Sequence, residues 1–99
     1  MKLLEEVGGA RVGLKNASWP FARLTMSKKE LRLRVKLIGR FRFRPEDIDE
    51  VEVIRFLPVI GKGIRIHHHK EDYPKRLIFW TLNDPKGIAE RIRGAGFGG

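Results

Sequence analysis

Leu31-Arg32-Leu33-Arg34-Val35-Lys36-Leu37-Ile38-Gly39-Arg40-Phe41-Arg42-Phe43-Arg44 alternates apolar and basic residues, breaks at Ile38-Gly39, and alternates again. Side chains on a strand point by turns to opposite faces, so the stretch reads as a β-hairpin with one apolar and one cationic face. The apolar face requires a core to cover it. The cationic face carries Arg32, Arg34 and Lys36 on one strand and Arg40, Arg42 and Arg44 on the next. Like charges opposed across a strand pair destabilise it by roughly a few tenths of a kcal/mol or more. One compensator is an external anion, such as the phosphate of a lipid headgroup or of nucleic acid. The other is the following strand, with Glu50 and Glu52 beside Arg42 and Arg40. Two carboxylates against six cations leave an excess, which solvent also tolerates on a surface.

The 99 residues suffice for one domain with a modest core. An apolar fraction of 41% and regular patterning argue against disorder, although 33% of residues are charged. With no cysteine, disulfides and thiolate metal sites are excluded, and the core carries stability alone. Lys2-Leu3-Leu4 runs straight into Glu5-Glu6, too short an apolar stretch for a signal peptide, and no stretch approaches the length of a membrane span. A cytoplasmic protein that is not an integral membrane protein is expected. The net charge of +9 concentrates polyanions near the surface and speeds their encounter.

Outward from the hairpin, residues 21–25 follow Trp19-Pro20, a dipeptide that suits the start of a strand. Residues 27–30 form a polar turn, and residues 45–48 a single helical turn opened by Pro45. Residues 51–57 make a strand interrupted by Pro58; Gly61-Lys62-Gly63 reads as a turn, and residues 64–67 as the next strand. After a polar loop over residues 70–75, residues 77–82 are almost continuously apolar, as in a strand covered on both faces. Asp84 as N-cap, Pro85, and the Ile88/Ile92 spacing then announce one helix, with Gly94 as its left-handed cap. Gly8-Gly9 and residues 94–99 read as mobile termini, leaving a core over about residues 10–94 of a single domain.

Chemistry is sparsely written. His67 and His69 share a face if they lie on a strand, and two imidazoles can hold zinc, but a closed site lacks its other ligands. No metal and no cofactor is therefore expected. Most aromatics fall at core positions; Trp19 and Tyr73, near loops, are candidates for exposed stacking surfaces. Ser18, Ser27 and the threonines lack any nucleophile motif, the acids lack partner spacing, and Gly61-Lys62-Gly63 is no phosphate loop. No catalytic residue is assigned, and an enzyme is not expected.

Over residues 21–94 the chain resembles a compact bacterial PH-like (pleckstrin-homology-like) domain with kinship to GRAM-type domains. The resemblance rests on the opening Ser18-Trp19-Pro20-Phe21-Ala22-Arg23-Leu24 and on Gly39-Arg40-Phe41-Arg42-Phe43-Arg44-Pro45-Glu46-Asp47-Ile48. Gly63-Ile64-Arg65-Ile66-His67 and Phe79-Trp80-Thr81-Leu82 extend it. It implies a mainly β fold: two antiparallel sheets, about seven strands in a partly open barrel, capped by one C-terminal helix. It also implies phosphoinositide-type contacts from Lys28 or Lys29 with Arg32 and Arg34. The expected function is a non-catalytic binding or assembly module that meets an anionic surface, either lipid headgroup or acidic protein. The anion-binding candidates are Lys28, Lys29, Arg32, Arg34, Arg40, Arg42 and Arg44. A small basic β-barrel that binds nucleic acid is the alternative. The sequence leaves the partner open, as it does assembly into a homo-oligomer.

Overall fold

In a computed structural model that describes residues 2–56 and 61–98, seven antiparallel strands precede one helix. The strands are β1 (Leu4–Val12), β2 (Lys15–Met26), β3 (Leu31–Val35), β4 (Gly39–Phe43), β5 (Ile48–Phe56), β6 (Gly61–His68) and β7 (Leu77–Thr81). The helix is α1 (Pro85–Gly94), and a 3₁₀ turn (Pro45–Asp47) joins β4 to β5. The fold is mainly β, as the alternation requires. Because β1 pairs with β7, the strands form one curled sheet in the order β4-β3-β2-β1-β7-β6-β5 rather than two separate sheets.

Alternation sorts the side chains. Leu31, Leu33, Val35, Phe41 and Phe43 point inward and are buried, while Arg32, Arg34, Arg40 and Arg42 point outward and are exposed. The concave side closes over Leu24, Val51, Ile64, Ile66, Leu77 and Phe79. Helix α1 lies against β5 and β6 and adds Ile88, Ala89 and Ile92 to that core. In β7, Ile78 faces outward yet is buried, flanked in register by Arg11 and Arg65, whose long aliphatic stems suit such cover. Leu82 lies beyond the strand and is exposed. No helix among the described residues is long and apolar enough to cross a membrane.

Five sequence expectations need correction. Gly8-Gly9 is no mobile terminus: it lies inside β1, between β2 and β7. A Cβ on Gly8 would sit 1.9 Å from the Trp80 carbonyl oxygen, and one on Gly9 2.2 Å from Trp80 Nε1. Glycine in this strand permits close approach of a neighbour, and the core accordingly extends back to Leu4. Gly61-Lys62-Gly63 is not a turn but the start of β6, where a Gly63 Cβ would meet the Phe79 carbonyl oxygen at 2.5 Å. Leu57 and Pro58, expected to end the preceding strand, lie outside the described residues.

The helix cap is also displaced. Gly94 is still helical, Ala95 is the C-cap, and Gly96 takes the positive φ of +98°. Phe97 N–H donates to Ile92 O at 3.2 Å and Gly96 N–H to Arg93 O at 2.9 Å, the paired bonds of a Schellman motif. Phe97 is fully buried by this turn, so the tail docks on the core. Finally, Pro20 does not open its strand. β1 pairs Gly8 with Ala22 and Ala10 with Ala17, so residues 18–21 bulge out opposite Gly9. That bulge contains the cis Trp19–Pro20 peptide, and a proline that cannot donate to a ladder is accommodated there.

Candidate anion-binding face

Register assembles the cations into rows on the outer face. Arg23 on β2 opposes Arg34 on β3, which opposes Arg40 on β4. One step along, Thr25, Arg32 and Arg42 form a second row. The short β2–β3 and β3–β4 turns bring three consecutive strands side by side, and strict parity sends the basic set outward. Arg23, Arg34 and Arg40 line an open groove of about 810 Å³ with Phe21, Lys36 and Leu37.

Local carboxylates reach only the margin of this array. Glu5 Oε2 lies 2.9 Å from Lys2 Nζ and 3.6 Å from Arg23. The Lys2 ammonium, through its hydrogen bond and its charge, holds the Glu5 carboxyl below the usual carboxylate range, with a smaller contribution from Arg23. This ion pairing is complete above the ordinary carboxylate pKa and is lost as pH falls through the depressed value. Arg32 pairs with Glu30. Among the described residues, no ion pair reaches Arg34, Arg40 or Arg42.

The expected compensation by Glu50 and Glu52 is overturned. β4 and β5 do not pair in the sheet, and among the described residues no ion pair joins Glu50 or Glu52 to Arg40 or Arg42. β5 pairs with β6 instead, and Glu52 Oε1 meets His67 Nε2 at 2.8 Å. His69 Nδ1 pairs separately with Asp49 Oδ1 at 2.9 Å, and His68 Nε2–H donates to the Pro74 carbonyl at 2.9 Å. No group of three or more metal-ligating side chains gathers among the described residues.

Not every candidate joins the face. Lys28 and Lys29 are exposed in the β2–β3 turn, at the opposite end of β3 from the groove. Arg44 lies past the end of β4, where its backbone N–H donates to Asp47 Oδ2 at 2.8 Å. Tyr73 is no stacking platform: its ring meets Phe41 and Phe43 edge-on at 5.1 and 5.4 Å, and its hydroxyl accepts the Arg42 N–H at 3.1 Å. Lys70 Nζ donates to the Arg42 carbonyl at 3.3 Å, so this loop caps the β4 edge. Trp19 is exposed, within the β2 bulge.

Three participants escaped the sequence reading. Arg23 shares parity with Phe21 and Thr25 one short turn before the hairpin, so its place in the row was legible in principle. Phe21 is 46% exposed, with Lys36 Nζ 5.5 Å from its ring centroid. Leu37, which the alternation places on the core-facing side with Leu31, Leu33 and Val35, is instead 98% exposed, because β3 ends at Val35 and Leu37 stands in the turn.

No protein-family model matches the chain. No curated protein and no solved structure matches it either.

Proposed function

We propose that the chain is a non-catalytic binding module of PH-like architecture whose outer β2–β3–β4 face engages a phosphate-bearing anionic surface. The observation that carries this reading is the Arg23–Arg34–Arg40 row, of which only Arg23 has a carboxylate partner among the described residues. Guanidiniums set side by side repel one another across the strands. Phosphates aligned over the row would reverse that repulsion, and each guanidinium offers a planar fork that matches a phosphate. Seven antiparallel strands with one C-terminal helix support the PH-like architecture.

Single-stranded nucleic acid is the second reading, favoured by Phe21 beside the arginines, since base stacking on an aromatic contributes about 1–3 kcal/mol. A single phenyl ring shared with the Lys36 ammonium is a poor platform for successive bases.

NMR titration with glycerophosphoserine, and separately with a short oligonucleotide, locates the face and ranks the anions. Shifts confined to Arg23, Arg34, Arg40 and their neighbours are expected. Shifts centred on α1, or none with either anion, would contradict the assignment.

A further inference from the structure

The β3–β4 apex presents an apolar residue where both solvation and backbone favour another choice. Ile38 N–H donates to Val35 O at 3.0 Å, closing a β-turn in which Leu37 is the third residue. Leu37 adopts φ +66° there, in the left-handed region where glycine or asparagine is preferred. Its side chain is 98% exposed. A leucine at this position is unfavourable in water on both counts, and the core gains nothing from it. Around it stand Lys36, Arg34 and Arg40, with Phe21 46% exposed on the neighbouring strand.

We infer that this apex is a wedge: Leu37 enters the apolar margin of an anionic bilayer while Arg34, Lys36 and Arg40 hold the lipid phosphates around it. The inference rests on the phosphate-binding reading of the same face and names the partner. An aliphatic tip within a cationic collar matches a surface that offers anions above and hydrocarbon below. A duplex accepts an aliphatic wedge only between unstacked base steps, at about a few kcal/mol per step, whereas the apolar margin of a bilayer takes it without that cost. The chain reaches the headgroup layer by charge and the hydrocarbon boundary by one side chain, so binding is reversible and graded by anionic lipid content.

Because the chain has no cysteine, one introduced thiol carries a single label. Leu37→Cys and, as a control on exposed α1 surface, Glu90→Cys are labelled with a polarity-sensitive fluorophore and mixed with vesicles of phosphatidylcholine, with or without phosphatidylserine. A blue shift at position 37 alone, only with phosphatidylserine, is expected. Leu37→Asn, which suits the left-handed turn, should weaken vesicle binding about tenfold while the melting temperature holds or rises. Vesicle binding with the position 37 label still in water and Leu37→Asn binding as the parent overturns the wedge and leaves the arginine face standing. Failure to bind vesicles, with headgroup or oligonucleotide still shifting the face, overturns the bilayer as partner. Failure to bind any of these anions overturns the face itself.

Discussion

A single added methyl group distinguishes the glycines that shape this sheet from those that do not. Gly8 and Gly63 stand where a Cβ would collide with the backbone oxygens of Trp80 and Phe79, at 1.9 and 2.5 Å. Gly8→Ala is expected to destabilise the fold by about 2 kcal/mol or more, since overpacking against backbone forces the strands apart. Gly94 has nothing within 4 Å of its Cβ position and ends α1, so Gly94→Ala should raise stability by about 0.5–1 kcal/mol. Chemical denaturation of both variants checks the contrast. The sequence misled here because a glycine has no side chain to reveal strand parity. Gly8-Gly9 therefore looks like a loose end until Trp80 is placed across it. The same residue scale governs Glu5, the carboxylate at the end of the arginine row. Glu5→Gln should free Arg23 and strengthen binding to phosphatidylserine vesicles about fivefold, at about 1 kcal/mol per basic residue near such a surface. Acidification that protonates Glu5 acts in the same direction, so affinity should fall as the pH is raised through its depressed pKa. Titrating the parent and Glu5→Gln together over pH tests this, because the variant should lack that component.

At the scale of elements, local pattern was the reliable guide and strand order was not. The β3–β4 hairpin followed from alternation, and the helix from Asp84, whose carboxylate accepts the Lys86 N–H at 3.1 Å, together with Pro85 and the isoleucine spacing. Both are decided within a few residues. Partnership across the sheet is decided by how the chain curls. The 3₁₀ turn after β4 joins the two edge strands of the curled sheet, so consecutive strands β4 and β5 do not pair. Glu50 and Glu52 looked like partners for the arginines only because they follow them in sequence. The bulge in β2 was equally illegible, since residues 18–21 are extra only relative to the partner strand β1. Helix α1 tests how the elements dock. Ile92 is fully buried where α1 packs on the sheet, and Ile92→Asp should unfold the domain. An unpaired buried charge costs several kcal/mol, comparable with the whole stability of a small domain. A melting curve like the parent's would show that α1 does not seal the core.

At the scale of the whole molecule, the net charge of +9 becomes a surface with direction once the sheet is folded. The outer rows on β2, β3 and β4 gather arginines that the fold neutralises only at the margin, while on the far side of the sheet Glu52 pairs with His67 and Asp49 with His69. On the proposed reading, an external phosphate array completes this face. The most direct test is the double variant Arg34→Gln/Arg40→Gln, which removes a directly opposed pair, measured for melting and for binding to phosphatidylserine vesicles over a range of salt. Weaker binding with a flatter salt dependence is expected, together with unchanged or slightly higher stability from relieved cross-strand repulsion. Unchanged binding with lower stability would contradict that reading, because the arginines would then be serving the fold rather than a ligand.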